Sequence, residues 1–165
     1  MNLQERHDSM RGWFSYELYQ QMVRNPDIWL VCIDLGFKTF DQHFRDFPER
    51  CINTGASEAA ATGLAVGLAL EGKVPYIYTI TSFYLRAAET IGLYLHGEQI
   101  PVKLVGSGLF QDYHIDGPSH DGTLTQEFLK PLNILKFYPQ KKEDVPAYME
   151  TILKNGKPCF LGLRR

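Results

Sequence analysis

The sequence predicts an α/β fold: a mostly parallel sheet of about six strands with helices on both faces. Two observations carry this expectation. Short apolar runs of strand length alternate with amphipathic or small-residue stretches of helix length, the pattern of βαβ crossovers. The second is the stretch R-C-I-N-T-G-A-S-E-A-A-A-T-G-L-A-V-G-L-A-L-E-G at 50–72, where a short strand turns at a glycine into a helix built almost wholly of Ala, Gly, Leu, Thr and Val.

In chain order, a helix is expected over about 12–24, followed by the strand I-W-L-V-C-I at 28–33. A loop rich in Phe, Asp and Arg leads to a short strand near Cys51, and the small-residue helix occupies about 57–70. The next strand covers 73–79, with Pro75 weakening its start because proline donates nothing to a ladder. A helix over about 83–97 and a strand at 101–105 follow. A glycine-rich loop spans 106–122, ahead of a short helix near Thr125. The strand N-I-L-K-F-Y at 133–138, a helix at about 142–155 and the strand C-F-L-G-L at 159–163 complete the chain.

The 165 residues suit one domain spanning 1–165 with its own core. With 44% hydrophobic and 22% charged residues the chain reads as globular. A net charge of −2 gives no electrostatic footprint for nucleic acid or an anionic membrane. No apolar run is long enough to span a bilayer, and the N-terminus lacks the plan of a signal peptide. Cys32, Cys51 and Cys159 are odd in number and fall in expected strands, as buried reduced thiols of a cytoplasmic protein would.

Ligands of open parallel sheets bind outside the carboxyl ends of the strands. That singles out the loops 53–58, 79–86 and 106–122. Each carries residues with two readings. Glu58 either stabilises the start of its helix or is a working acid at the mouth of an apolar helix, where burial demands a partner. Ser57 reads as a plain N-cap. Tyr78, Phe83 and Tyr84 read as core, and Arg86 with Glu89 as a surface ion pair. Asp116 and Asp121 are ordinary turn residues unless the long loop is functional, which its length favours. His114 and His120 complete no recognised zinc spacing.

Taken together, these loops resemble one family. The runs D-L-G at 34–36, F-P-E-R at 47–50, I-N-T-G-A-S-E at 52–58, G-L-A-L-E-G-K-V-P at 67–75 and T-S-F-Y-L-R-A at 81–87 are similar to the pyrimidine-binding domain of transketolase and 1-deoxyxylulose-5-phosphate synthase. P-V-K-L-V-G-S-G at 101–108, D-G-P-S-H at 116–120 and the closing F-L-G-L-R-R continue the match in the family's order.

The resemblance implies thiamine diphosphate as cofactor. It implies that Glu58 meets N1′ of the aminopyrimidine, favouring the imino tautomer whose 4′ nitrogen deprotonates C2. Phe83 matches the aromatic residue on which the pyrimidine stacks. Arg86 matches an Arg at the cofactor and, in the synthase branch, near the substrate phosphate. Asp116 and His120 match residues touching the donor's oxygens, His120 with a catalytic role, and Arg164 matches an Arg that holds a sugar phosphate.

The family holds Mg²⁺ and the diphosphate through G-D-G followed by Asn in a separate domain. Here Asp116-Gly117 follows Ile115, and no such motif occurs. The family's usual C-terminal domain has no counterpart either. The resemblance therefore implies half of a split enzyme. Mg²⁺ ligands lie on a partner subunit that binds the diphosphate; this chain is a homodimer alone and part of a two-plus-two assembly when active. The reaction implied is two-carbon ketol transfer or a related carboligation on a ketose or 2-oxo acid. The alternatives are the β-type subunit of a 2-oxo acid dehydrogenase or decarboxylase, and a non-catalytic module with the same fold. Gly108 stands where transketolase has a substrate-binding His, a departure that bears on phosphosugar specificity.

Overall fold

The computed structural model describes residues 7–165. Six strands form one all-parallel sheet: β1 (Ile28–Cys32), β2 (Cys51–Asn53), β3 (Val74–Ile80), β4 (Lys103–Ser107), β5 (Leu135–Phe137) and β6 (Cys159–Leu163), in the order β2-β1-β3-β4-β6-β5. The α/β expectation and the strand count hold. The order reverses direction beside β1, and crossing helices lie on both faces, as right-handed parallel connections require.

Along the strands, side chains alternate between two cores. Leu30 and Cys32 join Tyr76, Tyr78, Val105 and Leu161 on one face, under α1 (Met10–Arg24) and α6 (Val145–Lys154). Val31 and Ile33 join Ile77, Leu104 and Phe160 on the other, under α3 (Glu58–Leu70), the helical stretch 81–97 and α5 (Thr123–Leu129). In α1, Phe14, Leu18 and Met22 fall at the i, i+4 spacing that forms one stripe, and all three are buried. Pro75 is tolerated because of register. The Val74 N–H points toward β1, bonding the Asp27 carbonyl, so Pro75 faces the β4 side one residue before pairing with β4 begins at Tyr76.

Three elements differ from expectation. The stretch expected as a loop before Cys51 contains α2 (Asp41–Asp46). The expected helix over 83–97 is three short pieces: a 3₁₀ helix over Thr81–Ala87, one α turn, α4 (Ala88–Thr90), and a π-helix over Ile91–Gly97. The loop 106–122 contains two 3₁₀ turns, His114–Asp116 and Pro118–His120. What fastens the 81–87 segment down is Tyr84. It is fully buried, with its hydroxyl 2.9 Å from the Ile77 carbonyl and accepting from the Val105 N–H at 3.0 Å.

Candidate functional site

The carboxyl ends of β2, β3 and β4 deliver four side chains to the same edge of the sheet: Glu58 after β2, Phe83 and Arg86 after β3, and His120 after β4. From β2 the chain makes a tight turn in which Asn53 Oδ1 accepts from the Gly55 N–H at 3.0 Å. Ser57 is not a side-chain cap: its hydroxyl donates to the Thr54 carbonyl at 2.8 Å, bracing the turn instead. Glu58 is thereby the first residue of α3 and only 5% exposed. The helix N-terminus offsets part of the cost of burying its charge.

From β3 the chain enters the 3₁₀ helix at once. Three residues per turn bring side chains at i and i+3 into line, so Arg86 lies over Phe83. The guanidinium carbon sits 4.4 Å from the Phe83 ring centroid. From there Arg86 Nη1 donates to Glu58 Oε1 at 2.5 Å. The expected surface pairing of Arg86 with Glu89 is replaced by this one, because 3₁₀ winding turns Arg86 toward α3. The Glu58 side chain is 6% exposed and that of Arg86 54%.

From β4 the long loop returns His120. Its ring meets Phe83 edge-on, with centroids 5.1 Å apart and planes at 67°. Ser119 Oγ lies 3.0 Å from His120 Nδ1, which leaves Nε2 as the nitrogen available to a ligand. Gly117 makes the turn possible: its φ of 90° with ψ of −179° is a backbone state open essentially to glycine alone. Glu58, Arg86, Phe83 and His120 thus form one contiguous chain of contacts. Asp116 lies on the exposed turn just before it.

Arg164 goes elsewhere. At the end of β6 it grips Asp112 with two nitrogens, Nε at 2.8 Å from Oδ2 and Nη2 at 2.6 Å from Oδ1. Burial pushes the Asp112 carboxyl up. The Arg164 guanidinium, with the N–H groups of Leu109 and Arg165, more than reverses this and holds it below the usual carboxylate range. Asp112 and Ser119 are polar partners that sequence reasoning missed; both sit inside a loop where spacing gives no sign of what folds against what. Beside them, Tyr113 links Ser107 Oγ at 2.8 Å to Arg11 at 3.1 Å. A Cβ at Gly108 would lie 2.3 Å from the Tyr113 ring, and φ there is +75°, so packing and backbone conformation both hold this position to glycine.

A planar heteroaromatic ring fits this donor set. Glu58 offers a buried carboxylate to a ring nitrogen, and Phe83 offers a half-buried aromatic face beside it. Among the described residues, no three His, Cys, Asp or Glu side chains gather where they could hold a metal ion.

The family model for the transketolase pyrimidine-binding domain matches residues 8–165. The chain belongs to that family. As a transketolase-type pyrimidine-binding domain, it is similar to 1-deoxy-D-xylulose-5-phosphate synthase from Syntrophus aciditrophicus, at 29% identity over 78% of this chain and 19% of that protein. It is similar also to a 6-deoxy-6-sulfo-D-fructose transketolase subunit from a Clostridium species, at 28% identity over 78% of this chain and 39% of that one. Among solved structures, a split-gene transketolase, an inactive β4 tetramer, superposes with a TM-score of 0.84 at 26% identity, covering 96% of this chain and 52% of that chain. Transketolase from Campylobacter jejuni shares the fold, with a TM-score of 0.86 at 17% identity over 99% of this chain and 27% of that chain. The pyrimidine-binding domain described here therefore spans about half or less of each of these relatives. The enzymes of this family depend on thiamine diphosphate.

Proposed function

We propose that this chain is one domain, the pyrimidine-holding subunit of a two-component transketolase-like enzyme that transfers a two-carbon ketol unit or performs a related carboligation. The observation that carries the reading is that one guanidinium, Arg86, bridges a buried acid, Glu58, and an aromatic face, Phe83, at the carboxyl edge of the sheet. When bound, thiamine diphosphate supplies the carbanion-type chemistry that keto substrates require. Glu58 holds a proton at the ring nitrogen N1′, and its apolar, water-poor surroundings keep that hydrogen bond from being exchanged for solvent. Phe83 orients the ring by stacking. His120, through Nε2, donates to the donor's carbonyl oxygen as charge gathers there. Asp116 accepts from a donor hydroxyl, Arg164 supplies a cationic group at the substrate end, and Arg86 stands at the place of the cofactor ring, between Glu58 and Phe83.

The diphosphate and Mg²⁺ belong on the partner, a diphosphate-binding subunit. The surface supports a partner there. The small-residue face of α3 is open, with Ala59, Ala60, Gly63 and Gly67 exposed and Leu70 66% exposed. Leu93 and Tyr94 of the π-helix are exposed as well, while Ile91, Leu95 and Leu109 turn inward. Apolar patches of this kind mark interaction sites. The assembly we infer is a symmetric dimer alone and two copies of each subunit together. Free, buried Cys32, Cys51 and Cys159 suit a reducing compartment such as the cytoplasm. Among the described residues no helix is long and apolar enough to cross a membrane.

Calorimetry tests the division of labour. Thiamine diphosphate should bind this chain weakly, and tightly with Mg²⁺ only once the diphosphate-binding subunit is added. Tight Mg²⁺-dependent binding to this chain alone would show the reading to be wrong.

A further inference from the structure

We propose that Arg86 is a placeholder for the cofactor's aminopyrimidine: without cofactor its guanidinium occupies the two contacts the ring needs, and loading the site is an exchange in which Arg86 leaves. The inference rests on the reading that Glu58 and Phe83 receive the ring.

The guanidinium is flat, delocalised and rich in N–H donors, so it can stack on an aromatic face while donating sideways to a carboxylate. Arg86 does both at once, with its carbon 4.4 Å from the Phe83 centroid and Nη1 2.5 Å from Glu58 Oε1. A planar aminopyrimidine on Phe83 with a ring nitrogen at Glu58 makes the same pair of contacts. Both cannot hold them together.

Burial decides which partner yields. The Glu58 side chain is 6% exposed and fixed at the start of α3, so leaving it unpaired is costly. In the 3₁₀ helix, Tyr84 after Phe83 and Ala87 after Arg86 are buried and anchor the backbone that carries the ring. The Arg86 side chain is 54% exposed and can swing its charge into water at little cost. The receptor is rigid and the placeholder mobile. The placeholder keeps a buried acid paired until a ring arrives, and it lowers the apparent affinity for that ring by the fraction of time it is seated.

The test uses this chain alone at pH 8, with the uncharged ring 4-amino-5-hydroxymethyl-2-methylpyrimidine as probe, so that neither Mg²⁺ nor a partner enters. Binding is followed by NMR at the Phe83 ring protons and the Arg86 Nε–H signal. Arg86→Ala should bind the ring about five- to tenfold more tightly than the wild type. Arg86→Lys keeps the charge but cannot lie flat on Phe83, and should fall between. Raising the salt should tighten binding to the wild type, whose ion pair is screened, and leave Arg86→Ala unchanged. Saturating ring should shift the wild-type Arg86 Nε–H signal to that of a solvated arginine. Weaker or equal binding by a folded Arg86→Ala overturns the proposal, as does an unmoved Arg86 signal at saturation; if Arg86→Ala does not fold, the Lys variant and the wild-type signal decide. Glu58→Gln and Phe83→Ala separate this from the reading beneath it: if both bind the ring as the wild type does, the ring site itself is misplaced.

Discussion

Phe83 carries a guanidinium on its face and an imidazole at its edge, yet its own side chain is only half buried. A core aromatic would be enclosed, as Tyr84 beside it is. Phe83→Ala should therefore weaken thiamine diphosphate binding in the assembled enzyme about threefold to tenfold, the value of a stacked aromatic pair at about 0.5–1.5 kcal/mol. Its thermal midpoint should move little. A large loss of stability with unchanged cofactor affinity would place Phe83 in the core instead. Glu58 and Phe83 were readable in the sequence because each follows a strand within a short motif whose spacing fixes its place at the sheet edge. The partner of Arg86 was not. An α-helical reading sends Arg86 to Glu89, and only the 3₁₀ winding, which no local spacing announces, sends it to Glu58. Arg164 was legible as a cation at the last strand, but its capture by Asp112 depends on how a long loop folds back across 52 residues of sequence.

At the scale of elements, α2 shows where periodicity gives out. Six residues with Phe, Asp and Arg interleaved look like loop, and the helix exists because of what it buries. Its His43 is fully buried, with Nε2 3.1 Å from the Ser15 carbonyl of α1. That contact requires Nε2–H, and Nδ1 has no hydrogen-bond partner, so a second proton would be buried without an acceptor. Burial pushes the His43 pKa down to about 4, against the pull of the Ser15 carbonyl and Asp46. The folded value lies below the unfolded one, near 6.5, so the unfolded state takes up the proton first as pH falls. The stabilisation is fully present above about pH 6.5 and is lost as pH drops toward about 4, amounting to about 3 kcal/mol. Urea unfolding of the wild type should weaken across that window, and His43→Gln should flatten the slope there. An equal slope in the variant would contradict the assignment. The 81–97 stretch is the complementary case. Its apolar spacing correctly marked a helical segment, but tight winding at one end and loose winding at the other were invisible to a pattern that assumes 3.6 residues per turn.

For the whole molecule, the alternation of strands and helices made the α/β class and the six parallel strands legible. Strand order was not, because nothing local states that β6 inserts between β4 and β5. That insertion sets Arg164 at the end of the strand beside β4, near the loop that carries Asp112 and His120. The small-residue helix α3 buries one stripe, Glu58, Ala61, Thr62, Ala65 and Val66, and leaves its other face open. In the function proposed above, that open face receives another subunit and Glu58 receives the cofactor ring. The account stands or falls on whether Glu58 acts on that cofactor. The decisive measurement is exchange of the thiamine diphosphate C2 proton in the assembled two-subunit enzyme, followed by NMR. Glu58→Gln, folded and assembled, should exchange about 10²–10⁴ more slowly than the wild type, the range for loss of a proton-transfer group; exchange at the wild-type rate would contradict the account.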